Sequence, residues 1–308
     1  MQIFHNPVAM NNQGILHQLS STAPLKDGGN TVTIIGIGLI GGSMALSLKE
    51  NGFAGKIIGV DSNTEHQRKA LELRLIDEIK PLEEAVLESQ VIILAIPVSA
   101  CVKILPLILD LVDQQLVIDV GSTKKGILDA VKDHPKRKRY VPTHPMWGTE
   151  YSGPEAAVRG AFTNKASVIC SKEDSDADAV AVAVQLYTAL GMYLVYMQAE
   201  AHDVHVAYVS HISHITSFAL ANTVLEKEKE ENAIFELASA GFESTVRLAK
   251  SNAAMWVPIF MENRENVLDV LNEHITQLRK FKACLEKENF EYLQELIENA
   301  NKIRKIIK

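Results

Sequence analysis

The sequence is poor in cysteine and has no long apolar run. Its three cysteines, Cys101, Cys170 and Cys284, are far apart and odd in number, which indicates neither a disulfide framework nor a cysteine metal cluster. The longest apolar stretch, VIILAIPV, is broken at Pro97 and is much shorter than the roughly 20 residues of a membrane-spanning helix. We therefore expect a protein of a reducing compartment that has no membrane partner.

The chain also lacks an excess of positive charge. Its 38 acidic and 31 basic residues leave a formal net charge of −7, whereas a nucleic-acid partner requires a basic surface that meets phosphates. No nucleic-acid partner is therefore expected. Residues 1–30 are polar and rich in turn-forming residues, without the basic start and long apolar block of a secretory signal. We expect a loose N-terminal extension over 1–30 and a cytoplasmic location.

A glycine-rich turn follows an apolar, β-branched run in the stretch TVTIIGIGLIGGS, at 31–43. The spacing G-x-G-x-x-G falls on Gly36, Gly38 and Gly41, between a strand-like run and a stretch with helical spacing. In a dinucleotide-binding unit, Gly36 would allow the turn, Gly38 would let the backbone approach a pyrophosphate, and Gly41 would let helix and strand pack closely. The sequence predicts such a unit here; the alternative is a structural glycine turn in another α/β fold.

The cofactor is expected to be NAD. Its phosphates would lie at the start of the following helix, near the backbone N–H groups of Leu39 and Ile40 and the positive end of the helix dipole. A second β-branched run, KIIGV, ends in Asp61, whose carboxylate can accept hydrogen bonds from both ribose hydroxyls. Because this carboxylate would repel a 2′-phosphate, NAD is favoured over NADP, although Arg68 and Lys69 follow further along the chain.

Strand and helix patterns alternate up to about residue 197 and then change. The runs VIILAIPV and QLVIDVGSTK are continuously apolar, as in parallel sheets covered on both faces, and KASVIC and MYLVYM follow as further strands. Beyond 198, long amphipathic helical patterns dominate. The sequence predicts a Rossmann-type, doubly wound, mostly parallel α/β domain over 31–197 and an all-α domain over 198–308. Because such helices bury apolar stripes against other helices, we expect a homodimer through the C-terminal helices.

Polar and small residues follow two of the predicted strands directly. Ala95 and Pro97 end one strand, and Ser122 follows the next, in the stretch DVGSTK. Because ligands of open α/β sheets bind outside the carboxyl ends of the strands, we expect these residues at the same edge as the glycine turn.

His144 lies in the least core-like stretch of the chain, THPMWGTEYSG, which follows the strand-like run RYV and is predicted to be a loop. The oxidation of an alcohol to a ketone requires a base that takes the hydroxyl proton, so an imidazole beside a nicotinamide is the leading candidate for that base. The alternative is an ordinary surface histidine.

Histidines cluster on the first long helical pattern of the second domain, at His202, His205, His211 and His214, with Asp203 among them. On a regular α-helix, Asp203 and His214 would lie within about 20° of one another, with His202 and His205 on a different side. The two His-x-x-His pairs would be about 13 Å apart along the axis, so they could not share one metal ion. We predict no metal site and expect one or two of these histidines to bind an anionic substrate.

Arg247, in FESTVRLAKSN, has apolar neighbours and is predicted to lie on a packed helix. Its guanidinium could bind a substrate carboxylate in a bidentate fork, or form a surface ion pair with Glu243 or Glu262. The sequence supports both interpretations equally.

These motifs together resemble the prephenate dehydrogenase family, with its arogenate-using relatives. The resemblance covers about 31–280 and is carried, in order, by VTIIGIGLIGGS, the Asp-ended second strand, DVGSTK, THPMWGTEYSG, HDVHVAYVSHISH and FESTVRLAKSNAAMW. It implies a Rossmann domain followed by a helical dimerisation domain. It also implies the NAD-dependent oxidative decarboxylation of prephenate to 4-hydroxyphenylpyruvate in tyrosine biosynthesis.

The resemblance also implies roles for individual residues. His144 matches the catalytic histidine that accepts the proton of the C4 hydroxyl, and Ser122 matches a serine that orients that hydroxyl and the nicotinamide. Arg247 matches an arginine that binds a substrate carboxylate, and His214 matches a substrate-binding histidine. The remaining matches near the substrate are His202, Asp203 and Glu150, the last with an expected part in gating.

The chain departs from the family pattern beside the base. Pro142 and Thr143 stand where a pair of glycines is common, and Trp147 stands where a small residue is usual. A bulky ring at Trp147 would narrow the substrate pocket or contact the nicotinamide. The choice between prephenate and arogenate is therefore left open.

Two other functions are alternatives to the one that this resemblance implies. β-Hydroxyacid dehydrogenases share the two-domain layout but resemble one another in a catalytic lysine on the first long helix, and that region here has no lysine before Lys227. A non-catalytic NAD-binding regulatory protein would have kept the fold and lost the chemistry. The presence of His144, Ser122 and Arg247 together argues against it.

Overall fold

The computed structural model describes residues 29–231 and 233–307. The extension predicted over 1–30 therefore lies almost wholly outside the described residues. The chain divides into two compact units between Ala199 and Glu200. Across the described ranges, every helix is too short or too polar to cross a membrane.

The first unit is built on an eight-stranded sheet with the order β3-β2-β1-β4-β5-β6-β7-β8. Its strands are β1 Asn30–Ile35, β2 Ala54–Val60, β3 Glu78–Ile79, β4 Val91–Leu94, β5 Leu116–Asp119, β6 Tyr140–Pro145, β7 Ala166–Cys170 and β8 Tyr193–Met197. All neighbouring strands are parallel except β6 and β7, which are antiparallel. The doubly wound, mostly parallel sheet predicted from the sequence is confirmed.

Helices connect the strands of this sheet. They are α1 Leu39–Glu50, α2 Thr64–Glu72, α3 Leu82–Glu88, α4 Val98–Leu111, α5 Lys125–Val131 and α6 Ala177–Ala189. Helix α4 begins directly after Pro97 and continues through Pro106.

Two hydrophobic cores lie on opposite faces of the sheet, and β4 supplies both. Val91 and Ile93 pack into the core that contains residues of α1 and α6, whereas Ile92 and Leu94 pack into the core that contains residues of α4. Successive side chains of a strand point to opposite faces, so a strand covered on both sides is apolar at every position.

The regular secondary structure of the second unit is entirely helical in the described residues. Its helices are α7 Ala199–Val206, which begins at the last residue of the first unit, α8 Ile212–Glu231, α9 Ala240–Val246, α10 Ala253–Glu262, α11 Arg264–Glu286 and α12 Phe290–Asn301. The predicted all-α character is confirmed.

A π-helical turn at Ala207–His211 separates α7 from α8. The prediction of one regular helix through this region was therefore wrong. A π-helical turn bonds residue i to i+5 and holds more residues than an α-helical turn. The angle of about 20° between Asp203 and His214, which assumed a regular helix, consequently does not apply.

Candidate active site

The glycine turn lies where the chain leaves β1. Gly36 has φ of +93°, in the left-handed region that favours glycine. A Cβ at Gly36 would collide with the carbonyl oxygen of Ala95 and would lie 2.7 Å from Cγ2 of Ile96. The turn therefore depends on glycine here, where it packs against the residues that follow β4, the strand that pairs with β1. Ala95 and Pro97 lie at this edge, as predicted, with Ala95 half-buried and Pro97 exposed.

The start of α1 fits a pyrophosphate. A Cβ added to Gly38 would meet no heavy atom within 4 Å, whereas one added to Gly41 would press on the Gly36 carbonyl and lie 2.9 Å from Ile34 Cγ2. Space is therefore open beside the backbone of Gly38, and strand and helix are in contact at Gly41. The helix begins at Leu39 without a side-chain cap, so its first N–H groups at Leu39 and Ile40 are suited to phosphate oxygens.

Asp61 follows β2 at the same edge of the sheet. Its Oδ2 accepts a hydrogen bond from the Ile37 N–H at 2.9 Å, and its Oδ1 accepts one from the Asn63 N–H at 2.9 Å. Nδ1 of His66 lies 3.6 Å from Oδ2. These contacts hold the carboxylate beside the glycine turn, where a ribose of a bound dinucleotide would lie.

Arg68 and Lys69, the two basic residues that would favour NADP, both lie near carboxylates of the first unit. Arg68 forms ion pairs with Glu65 and Glu72, and the Lys69 Nζ lies 3.7 Å from Glu72 and 3.8 Å from Glu155. These pairs lower the positive charge that a 2′-phosphate would meet.

His144 lies within a strand. It belongs to β6, pairs with Val168 of the antiparallel strand β7, and is 9% exposed. The predicted loop was therefore wrong at this residue. The parallel register with β5 runs from Tyr140 to Pro142, and β7 extends the strand by pairing with Thr143, His144 and Pro145.

A buried carboxylate, Asp119, links the two segments that carry Ser122 and His144. Its Oδ2 accepts a hydrogen bond from the Gly121 N–H at 2.8 Å and forms an ion pair with Lys124. Its Oδ1 accepts from the Tyr140 hydroxyl at 2.7 Å and from the Thr143 N–H at 3.3 Å. Four residues of this network are fully buried: Asp119, Lys124, Tyr140 and Thr143. Burial raises the pKa of Tyr140 well above its ordinary value, and the charge of Asp119 raises it further.

Lys124 completes this buried network by donating to the Thr143 carbonyl at 2.7 Å. The half-buried Ser122 lies between Gly121 and the buried Lys124, so its loop is held on both sides. The stretch DVGSTK places Asp119 and Lys124 at the predicted sheet edge, but the sequence does not predict the buried ion pair between them. The available signal was an acidic residue that ends an apolar strand five positions before a lysine.

Trp147 and Glu150 follow β6 in the segment after His144. The Trp147 ring meets the Phe162 ring edge-on, with centroids 5.2 Å apart, and packs against the core next to α1. The bulky residue is thus supported by the core of its own unit. Glu150 is half-buried.

His202 and Asp203 form a buried pair on α7. His202 Nδ1 lies 2.8 Å from Asp203 Oδ1, and the two residues are 1% and 3% exposed. The Asp203 backbone carbonyl accepts a hydrogen bond from Asn263 Nδ2 at 2.7 Å. The pair is therefore fixed to the start of α11.

His211, which received no individual role from the sequence, is fully buried in the second unit. Its Nδ1 lies 3.2 Å from Asn263 Nδ2, and because an amide nitrogen only donates, Nδ1 is the acceptor and the ring proton is on Nε2. The ring lies edge-on to Trp256 and Phe260. Burial lowers the pKa of His211 to about 4. The charge of Asp203 raises this pKa, and His214 and His202 lower it.

His214 stacks on Trp256, with ring centroids 3.4 Å apart and an interplanar angle of 27°. Its Nδ1–H donates to the Ser210 carbonyl at 3.1 Å. Burial lowers the pKa of His214, the bond to Ser210 raises it, and the charge of Arg247 lowers it. His214 and Arg247, predicted for the substrate, therefore lie close enough to interact.

Arg247 lies in a short 3-10 turn, Arg247–Lys250, and its side chain is exposed. The predicted packed helix ends at Val246, so that prediction was wrong for Arg247. The fully buried Ser217 of α8 holds this turn on both sides of Arg247. Its hydroxyl donates to the Thr245 carbonyl at 3.0 Å and accepts from the Ala249 N–H at 3.0 Å.

The surface alternative for Arg247 was an ion pair with Glu243 or Glu262. In the structure, Glu243 lies 3.7 Å from the Nζ of Lys250. Over residues 29–231 and 233–307, no group of three or more His, Cys, Asp or Glu side chains is placed to hold a metal ion.

Comparisons with known proteins point to one family. The model described as "Prephenate dehydrogenase, nucleotide-binding domain" matches residues 44–196, and "Prephenate dehydrogenase, dimerization domain" matches 198–299. A prephenate dehydrogenase of Bacillus subtilis is 32% identical over 279 residues, which cover 89% of this chain and 75% of the relative. A cyclohexadienyl dehydrogenase of Zymomonas mobilis is 28% identical over 90% of this chain and 96% of its own length.

A solved structure has a similar fold. It is a prephenate dehydrogenase from A. aeolicus in complex with hydroxyphenyl propionate and NAD+, 30% identical to this chain. The alignment has a TM-score of 0.81 and covers 94% of this chain and 100% of the other.

Proposed function

We propose that this chain, which belongs to the prephenate dehydrogenase family, oxidises prephenate with NAD to 4-hydroxyphenylpyruvate and carbon dioxide in tyrosine biosynthesis. The observation that carries the proposal is the pairing of a dinucleotide cradle with a histidine and a serine at one sheet edge. Gly36, Gly38, Gly41 and Asp61 form the cradle beside β1 and β2. The buried Asp119 network supports the segments that carry the other two residues.

The chemistry requires a base for one hydroxyl proton. Bound NAD would supply the acceptor for the hydride that leaves ring carbon C4 of prephenate. His144 accepts the proton of the C4 hydroxyl as its oxygen becomes a carbonyl, and Ser122 orients that hydroxyl. When the ring carboxylate leaves as carbon dioxide, its bonding electrons make the ring aromatic and the C4 oxygen takes the proton back.

Arg247 and His214 are proposed to bind a substrate carboxylate. Support comes from the exposed guanidinium and from its influence on the pKa of His214. A neutral His214 beside the arginine leaves the guanidinium as the charged partner of the carboxylate. We assign His202 and Asp203 to the shape of this region, Glu150 to gating, and Trp147 to substrate selection.

We further propose a cytoplasmic homodimer joined through the C-terminal helices. The family model that matches 198–299 is described as a dimerization domain. Large apolar side chains on α11 and α12 are exposed in the single chain, among them Leu278, Leu285, Phe290 and Ile297. An apolar surface of this kind favours a protein–protein interface.

Arogenate is the second candidate substrate, because one relative is a cyclohexadienyl dehydrogenase. Turnover of prephenate and arogenate, each with NAD and NADP, should be compared by the appearance of reduced cofactor. We expect prephenate with NAD to be the best pair, with 4-hydroxyphenylpyruvate as the product. If neither cyclohexadiene is oxidised with either cofactor, the proposed function is wrong.

Replacement of His144 by Asn tests the base. We expect kcat to fall by roughly 10²–10⁴, the range for the loss of a general base, with little change in the KM for NAD. His205→Asn is the control, since this exposed histidine lies on α7 of the second unit. An unchanged kcat in His144→Asn would remove the histidine from the mechanism.

A further inference from the structure

We propose that Tyr187 and Thr143 are positioning residues that hold the base His144 in place through a chain of two buried hydroxyl groups. The inference rests on the proposed function, because it concerns the orientation of the proposed base. Tyr187 lies on α6, distant in sequence from β6, and the two residues have no place in the reaction described above.

The contacts join three elements. The Tyr187 hydroxyl lies 2.5 Å from Thr143 Oγ1, and Thr143 Oγ1 lies 2.5 Å from the backbone carbonyl oxygen of Asp119. All three residues are fully buried. Helix α6 is therefore connected to β6 and, through it, to the end of β5.

The direction of this chain follows from the number of protons. A carbonyl oxygen only accepts, so the single hydroxyl proton of Thr143 is donated to Asp119. Tyr187 must then donate to Thr143 Oγ1. Burial holds the pKa of Tyr187 well above its ordinary value, so the phenol keeps the proton that it donates.

Thr143 is directly before His144 in β6, and consecutive side chains of a strand point to opposite faces. A fixed Thr143 side chain therefore limits the rotation of the strand about its own axis, and with it the direction of the His144 side chain. Tyr187 also lies beside Ser167, which pairs with Pro145 across β6 and β7. The Tyr187 hydroxyl therefore lies next to Thr143 of β6 and Ser167 of β7, the two strands that pair at His144.

The residue at position 143 makes this arrangement possible. A glycine there would have no hydroxyl to receive the Tyr187 proton. The Thr143 backbone is held in addition by Asp119 Oδ1 at 3.3 Å and by Lys124 at 2.7 Å. The Thr143 backbone is thus held by Asp119 and Lys124, and the hydrogen bonds of the hydroxyl chain hold its side chain as well.

Three substitutions in the full chain test the proposal. Tyr187→Phe keeps the ring and removes the donor, Thr143→Val removes the hydroxyl at similar volume, and Thr143→Ser keeps it. We expect kcat with prephenate to fall roughly 10-fold in the first two, since small errors of orientation slow the chemical step, with the KM for NAD within about two-fold of wild type. Thr143→Ser should retain most of the wild-type kcat.

Two further variants separate orientation from general damage. Tyr193→Phe removes the hydroxyl of an exposed tyrosine on β8 and should leave kcat unchanged. In the double variant Tyr187→Phe/Thr143→Val, kcat should fall little further than in either single variant, because both changes break the same chain.

The outcomes distinguish this inference from the proposed function. If the wild type oxidises neither prephenate nor arogenate, the proposed function fails. If the wild type is active and folded Tyr187→Phe and Thr143→Val keep its kcat, the positioning role is wrong while the function stands. Equal losses in Thr143→Ser and Thr143→Val would also overturn it, since the hydroxyl would then not be the cause.

Discussion

Burial decides the protonation of the histidine that lies deepest in the second unit. His211 is fully buried, accepts a hydrogen bond at Nδ1 and has a pKa lowered to about 4, mainly by burial. In the unfolded chain the same side chain titrates near 6.5. His211 is therefore neutral in the folded protein at pH values well above 4.

This pKa makes stability depend on pH. Between about pH 6.5 and 4 the unfolded chain binds the proton of His211 and the folded chain does not, so stability is lost as the pH falls through this range. Between pH 7.5 and 5, wild type should lose about 2 kcal/mol of unfolding free energy from this group, measured by urea unfolding. His211→Gln should lack that part of the loss.

The control for this measurement is His205→Gln, which changes an exposed histidine of the same region. It should follow the wild-type dependence on pH. A His211→Gln variant with the full wild-type slope would show that His211 is not the group that titrates.

Two short irregular elements lie in the part of the second unit that is proposed to bind substrate. The π-helical turn at Ala207–His211 changes the phase between α7 and α8, and the 3-10 turn at Arg247–Lys250 carries the arginine. Ser217 fixes the second of these elements from α8, three residues after His214. The position of Arg247 thus depends on a neighbouring helix as well as on its own turn.

Ser217→Ala should weaken substrate binding without touching the cofactor. Loss of two hydrogen bonds around Arg247 should raise the KM for prephenate roughly 3- to 10-fold, since a neutral hydrogen bond contributes about 0.5–1.5 kcal/mol. Arg247→Ala should raise it further, by roughly 10- to 100-fold, because it removes a charge-assisted bond. Initial-rate kinetics with each substrate varied in turn will measure both effects.

Thr223→Ala is the matched control, since this hydroxyl lies on the same helix and bonds its own backbone at Ala219. It should leave the KM for prephenate unchanged. If Ser217→Ala also leaves this KM unchanged, the position of Arg247 does not depend on the bonds from α8. If Arg247→Ala leaves it unchanged, the proposed carboxylate-binding role of Arg247 is wrong.

At the scale of the whole molecule, the second unit leaves much apolar surface on its last helices. Leu285 is 67% exposed and Phe290 is 74% exposed, at neighbouring ends of α11 and α12. Exposed apolar area of this kind favours association, and the matching family model is that of a dimerization domain.

Light scattering after size exclusion should therefore give about twice the mass of one chain. Leu285→Glu/Phe290→Glu should shift the mass toward one chain, because burial of two carboxylates opposes the interface. Leu87→Glu, at a leucine of the first unit that is 59% exposed, is the control and should keep the wild-type mass. A wild type that is monomeric at all concentrations would refute the dimer.

The sequence by itself determined the features that depend on neighbouring residues. The glycine spacing, the β-branched runs and the change to helical periodicity are local patterns, and the strands, the Gly36 turn and the helical second unit follow from them. Residue types could also nominate His144, Ser122 and Asp61, because an imidazole, a hydroxyl or a carboxylate near the carboxyl end of a strand lies where ligands of α/β sheets bind.

Only the tertiary structure decided how these side chains are held. His144 lies in a strand because β7 pairs with it, and Thr143 meets Tyr187 across 44 residues of sequence. The proton position on His211 depends on Asn263, which is 52 residues away. Such contacts have no local pattern, since burial and pairing between distant segments exist only when the chain is folded. For the same reason, the sequence could nominate His144 as a base but could not predict that the Thr143 and Tyr187 hydroxyls lie in contact beside it.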